Sequence, residues 1–197
     1  MVNINFKDAS ETLINCGQIK EKRYILISVP DAMNVLTRGF KYFLAKENKP
    51  YKYNPAYKEI AEWLSDNKGK GLIMEGECGL GKSLLGKLIL PTILFHYCNK
   101  IVGVYDTNFL NANIDEVLKE CIISLDDIGT EDVSVNYGNR RLAFAELMDE
   151  AEKTGKLVII STNLTADEIA SKYGERVRDR IRACCKRVTF KGKSNRG

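Results

Sequence analysis

Histidine, tryptophan and proline are scarce in this 197-residue chain, which has one His, one Trp and four Pro. The single His96 follows the apolar stretch Ile93-Leu94-Phe95 and reads as a packed helix residue. A His-based catalytic triad and a multi-histidine metal site are therefore excluded. Six cysteines (Cys16, Cys78, Cys98, Cys121, Cys184, Cys185) show no Cys-x-x-Cys spacing and sit mostly in apolar segments. They read as small buried hydrophobes, not as a zinc site or a disulfide framework. Long apolar runs are missing as well: the longest, such as residues 24–29 and 121–125, fall far short of the roughly 20 residues a membrane span needs. The N-terminus carries no basic segment followed by an apolar core, so no secretory signal is visible, and a cytoplasmic location without membrane contact is expected.

What remains is 44% hydrophobic and 28% charged, a balance that excludes disorder and collagen-like structure. The length suits one domain of ordinary size plus an appendage. The net charge of +4 is unevenly spread. Residues 172–197 hold ten Lys/Arg against Glu175 and Asp179, a local +8 that leaves −4 for the rest. A basic segment on an acidic body points to phosphate, whether nucleic acid or nucleotide; a solvated helix face is the other reading.

Helical spacing of Met33, Leu36, Phe40 and Leu44 after Pro30-Asp31 predicts a helix with Asp31 as N-cap. Residues 47–55 are polar and hold two prolines, as a linker would, and Tyr57, Ile60, Ala61 and Leu64 form a second helical stripe. Strands are predicted at 72–74, 101–105, 121–125 and 157–160, with helices near 82–98, 111–119 and 140–154. Such alternation predicts right-handed βαβ crossovers and an α/β fold: a mostly parallel sheet flanked by helices.

Gly76-Glu77-Cys78-Gly79-Leu80-Gly81-Lys82-Ser83 matches the P-loop pattern GxxxxGK[ST] between a predicted strand and a predicted helix that continues through Leu84. Glycines let the backbone wrap closely around phosphates, and amides at a helix N-terminus point inward. Residues 76–84 are thus assigned to the nucleotide, with Lys82 facing the β- and γ-phosphates and the Ser83 hydroxyl ligating Mg²⁺. The strand at 121–125 runs into Asp126 and Asp127. Ligands of such folds bind at the carboxyl ends of strands, which places Asp126 at the metal and Asp127 where it can orient or deprotonate the attacking water. A third strand ends in Ser161-Thr162-Asn163. Thr165 suits the N-cap of the following helix, which leaves the Asn163 amide for the γ-phosphate or the water.

The series GECGLGKS, ISLDDIGTE, VIISTNLT, YGERVRDRI and VTFKGKSNR resembles, in that order, the DnaC-type replicative helicase loaders, AAA+ ATPases similar to the IstB transposition helpers. The resemblance covers residues 56–196. It implies a P-loop NTPase of the AAA+ type that takes ATP and Mg²⁺, with Asn163 as sensor 1, Arg180 as the arginine finger reaching a neighbouring subunit's ATP, Arg176 beside it, and Arg196 as sensor 2. Asn195 stands where the family usually has an aromatic. Only 34 residues follow Asn163, too few for a full helical lid, so the lid is expected to be reduced or absent. Residues 1–50 are expected as a short helical extension that binds a partner, and 51–197 as the ATPase domain. The implied function is helicase loading on single-stranded DNA by a self-associating ATPase, with the replicative helicase as partner. The alternatives are an IstB-like helper that binds DNA and activates a transposase, and a nucleotide-gated adaptor that does not hydrolyse ATP.

Overall fold

In a computed structural model that describes residues 4–19, 22–129 and 142–192, five strands form one sheet. In chain order the elements are α1 (Phe6–Asn15), α2 (Ala32–Lys46), α3 (Ala56–Ser65), β1 (Gly71–Gly76), α4 (Lys82–Leu84), a π-helical turn (Leu85–Ile89) and α5 (Leu90–Cys98). They continue with β2 (Gly103–Asp106), α6 (Thr107–Ala112), α7 (Ile114–Val117), β3 (Ile122–Ile128), α8 (Ala143–Thr154), β4 (Leu157–Thr162), α9 (Ala166–Tyr173), α10 (Glu175–Cys184) and β5 (Cys185–Phe190). The strand order is β2-β3-β4-β1-β5, and every pair is parallel.

Alternate side chains of each strand feed opposite faces of the sheet. Leu72 and Met74 of β1 pack with α2, α3, the π turn and α5, whereas Ile73 packs with α6 to α10. The result is a three-layer α/β/α sandwich with a core on each side. Helix α2 sends Leu36 and Phe40 into the first core, fully buried, each contributing about 1.5–3 kcal/mol of transfer free energy. The extended chain before it is strapped to α3's end by the buried Asn67 amide, which accepts from Ile27 N–H (2.8 Å) and donates to the Ile25 carbonyl (2.9 Å). Helix α1 buries none of its residues. Among the described residues no helix is long and apolar enough to cross a membrane.

Several local expectations are corrected. Asp31 stands at the N-cap of α2, but in a left-handed conformation (φ 46°), and its carboxylate accepts from the Asn34 amide (3.0 Å) instead of capping the backbone. His96 lies on α5 as predicted, yet it is exposed with its ring edge-on to Tyr97. Of the cysteines only Cys185 is buried; Cys16, Cys78 and Cys121 are exposed because they fall on turns and loops. The helix predicted at 111–119 is split at Asn113 into α6 and α7, and α6 starts earlier because Asp106 caps it by accepting from Phe109 N–H (2.8 Å). Strand β5 was not predicted: Lys186, Arg187 and Thr189 interrupt the apolar Cys185, Val188 and Phe190, so its apolar signal is diluted.

Candidate nucleotide site

The parallel sheet turns the carboxyl ends of β1, β3 and β4 toward one edge, and the P-loop leaves the sheet there. Its first residue, Gly76, has φ 137°, and a Cβ at that position would lie 2.3 Å from the Phe190 carbonyl oxygen of β5. Gly81 also has a positive φ (92°) as the chain enters α4. Only glycine fits both requirements, so the loop's shape is written in its spacing.

Lys82 is 6% exposed. Its ammonium donates to the Gly76 carbonyl (2.7 Å), the Glu77 carbonyl (2.8 Å) and Oδ1 of Asn163 (3.0 Å). Asn163 in turn donates through Nδ2 to Oδ1 of Asp127 (3.0 Å). One carboxamide therefore joins the P-loop lysine to the second carboxylate of β3. Thr165 caps α9 in a reciprocal capping box with Glu168, which leaves the Asn163 side chain to the cleft, as predicted.

Asp126 and Asp127 lie within β3, not beyond it, across a register shift between Leu125 and Ile128. At the irregularity Asp127 takes a left-handed conformation (φ 59°), uncommon outside glycine though tolerated by Asp. Ser161 holds the pair: its hydroxyl donates to Oδ1 of Asp126 (2.5 Å) and accepts from the Asp127 N–H (2.9 Å). Lys87, on the π turn, places its ammonium 2.7 Å from Oδ2 of Asp126. Burial would push the Asp126 carboxyl up, but hydrogen bonds from Lys87, Ser161 and Ser83, with the charge of Lys87, outweigh it and hold the group below its ordinary range.

A cleft of about 280 Å³ opens between these groups and the α2–α3 connection. Cys78, Gly79, Gly81, Lys82, Ser83 and Leu84 line one side, with Asp127, Ser161 and Asn163 at the strand tips; Phe40, Leu44 and Tyr57 form the facing wall. The sequence reading had no place for that wall. Phe40 and Tyr57 pack at 4.2 Å between ring centroids with their planes tilted by 30°, and burial, followed by the neighbouring Tyr51, pushes the Tyr57 hydroxyl up to about 12. Ser161 and Lys87 were likewise missed as site residues; the serine sits at a strand tip, where its position was the available clue.

Ser83 and Asp126, expected at the metal, lie near one another, and the Ser83 hydroxyl is among the groups that favour the charged form of the Asp126 carboxyl. Among the described residues no group of three or more His, Cys, Asp or Glu side chains can hold a metal alone. That donor set fits Mg²⁺, which keeps several waters and is bound by one or two carboxylates together with substrate phosphates. Arg180 is not at the cleft. It lies on α10, 12% exposed, with its guanidinium 2.7 Å from Asp149 and 3.1 Å from Glu152, both on α8. Arg176 shares Asp149 (3.2 Å). Arg196 lies outside the described residues.

No family model matches the chain, and no curated protein does. Solved structures match it in fold. The DnaC helicase loader superposes with a TM-score of 0.59 at 19% identity, over 72% of this chain and 94% of that one. DnaI gives 0.54 at 19% identity, over 83% and 87%. AMPPCP-bound DnaA from Aquifex aeolicus gives 0.51 at 17% identity, over 74% of this chain and 49% of that one.

Proposed function

We propose that this chain, which has the AAA+ P-loop fold of the DnaC-type helicase loaders, is an ATPase that assists a replicative helicase onto single-stranded DNA. The observation that carries the ATPase reading is the hydrogen-bonded series Lys82–Asn163–Asp127, with Ser83 and Asp126 beside it. In it, a cation for the phosphates, an amide for the γ-phosphate or the water, and a carboxylate for the water already touch one another. On nucleotide binding the Lys82 ammonium exchanges the Gly76 and Glu77 carbonyls for phosphate oxygens, and P-loop amides surround the same phosphates. Ser83 and Asp126 would hold Mg²⁺, which neutralises phosphate charge when bound with the nucleotide. Asp127, fixed by Asn163 and Ser161, orients or deprotonates water at the open side of the cleft.

The loader role rests on likeness of fold and on the basic stretch after residue 171. Within that stretch Arg176, Arg178, Arg180, Lys186 and Arg187 are paired with carboxylates of the same chain. Contact with DNA phosphates would therefore compete with internal partners, so binding should be weak and strongly salt-dependent. Residues 1–50 are proposed to contact the helicase, and Arg180 to complete a neighbour's ATP site.

The test is calorimetric ATP binding by the wild type and Lys82→Ala, followed by ATP turnover with and without single-stranded DNA and with and without the replicative helicase. Binding lost in the variant, and turnover altered by DNA, is the expected result. Unchanged binding in Lys82→Ala would overturn the P-loop assignment, and turnover indifferent to DNA and to the helicase would overturn the loader role.

A further inference from the structure

The π turn carries a residue that the ATPase reading leaves without a task. Residues four apart on a helix share a face, so Lys87 stands one turn beyond Ser83 and above the same carboxylate. Its root is fixed to β3. The Ser124 hydroxyl donates to the Gly86 carbonyl (2.9 Å), and a Cβ at Gly86 would lie 3.2 Å from that hydroxyl, so helix and strand meet at the residue just before Lys87. Asp126, two residues beyond Ser124, projects from the same face of the strand. The i→i+5 turn thus sets Lys87 against the metal carboxylate; π turns inside helices are rare and cluster at functional sites.

The two partners differ in their freedom. The Asp126 side chain is 9% exposed and needs a positive partner, since a buried carboxylate without one is strongly disfavoured. The Lys87 side chain is 46% exposed on a flexible stem and can swing into solvent without breaking any other hydrogen bond or ion pair among the described residues. We infer that Lys87 is a resident counter-cation of Asp126, occupying the carboxylate until Mg²⁺ arrives with a nucleotide and so making divalent-ion binding conditional on phosphate. The ammonium leaves Oδ2 as the ion takes the carboxylate, with no proton lost or gained. This inference rests on the reading of Ser83 and Asp126 as the holders of the metal.

The experiment compares the wild type with Lys87→Gln and Lys87→Arg. A fluorescent ATP analogue is titrated with Mg²⁺, and Mn²⁺ binding without nucleotide is followed by the loss of its free-ion EPR signal. The Mg²⁺ midpoint is expected to fall about fivefold in Lys87→Gln, the size of effect a partly exposed ion pair supports, and to stay near wild type in Lys87→Arg. Nucleotide-free Mn²⁺ binding should tighten in Lys87→Gln alone and disappear when Asp126→Asn is added. An unchanged or raised midpoint in Lys87→Gln, or Mn²⁺ binding equal to wild type, overturns the inference. A wild type that binds no analogue at any Mg²⁺ concentration instead overturns the nucleotide reading, and the Mn²⁺ comparison still decides the role of Lys87.

Discussion

The Asn163 carboxamide accepts a hydrogen bond from Lys82 at 3.0 Å, across the tips of two paired strands, β4 and β1. Because its other end donates to Asp127, the side chain links the group that would bind phosphate to the group that would handle water. Removing that link should leave affinity largely intact and impair chemistry. In Asn163→Ala and in Asp127→Asn, ATP is expected to bind within a few-fold of wild type while turnover falls about 10²–10³-fold, the range for a lost positioned donor or base. Calorimetry beside a phosphate-release assay separates the two quantities. Parallel loss of both in Asp127→Asn would place that carboxylate in the metal shell.

Gly76 gives a prediction about shape alone. A methyl group there would meet the Phe190 carbonyl at 2.3 Å, and the backbone is in a region side chains rarely adopt. Gly76→Ala must push β5 away from β1 or twist the loop, and should destabilise the fold by about 2–4 kcal/mol. Thermal or urea unfolding measures it. A fully stable Gly76→Ala protein would mean that β5 is not paired to β1 in this register.

Much of this was legible in the sequence, and the failures share a cause. Glycine spacing, strand-tip carboxylates and the Thr165 cap are local signals, so β1, β3, β4 and the P-loop emerge from pattern alone. Strand β5 is an edge strand whose Lys186 and Arg187 pair with Glu62 and Glu75, so its polarity reflects tertiary partners. The wall of Phe40 and Tyr57 reads as ordinary helix core until the fold brings it against Gly81, where a Cβ would lie 3.5 Å from the Phe40 ring. The arginines of α10 suggested a phosphate surface because the carboxylates that engage Arg176 and Arg180 lie some 27 to 31 residues earlier in the chain, on α8.

Glu75 lends the fold a pH dependence. Its buried carboxyl sits one residue before the P-loop, 3.2 Å from the Arg187 guanidinium. Burial pushes its pKa above the ordinary 4.5, and Arg187 only partly opposes the rise. The folded chain therefore holds this proton more tightly than the unfolded chain does. The stabilisation is complete below about 4.5 and is lost as pH rises through the folded-state value. Melting temperatures of the wild type and Glu75→Gln, measured from pH 4 to 7, should shift in favour of the variant as pH increases. A gap that stays constant with pH would show that the carboxyl ionises equally in both states.

Arg180 offers the sharpest contrast between a structural and a functional role. Its guanidinium is held by Asp149 and Glu152 and is nearly out of solvent, which suffices to explain a bridge from α10 to α8. Both acids keep more exposure than the arginine, so water can solvate them once Arg180 is removed, and Arg180→Ala should fold with only a modest loss of melting temperature. If the arginine also serves a neighbour's γ-phosphate, where such residues contribute about 10³–10⁵ in rate, Arg180→Ala should be as inactive as Lys82→Ala. Mixing the two variants should then restore part of the activity, because Arg180→Ala subunits keep a working P-loop and Lys82→Ala subunits supply the arginine. Recovery in the mixture is the expected outcome. Absence of recovery, under conditions where light scattering shows that the variants co-assemble, would leave Arg180 as the clamp between α10 and α8 and nothing more.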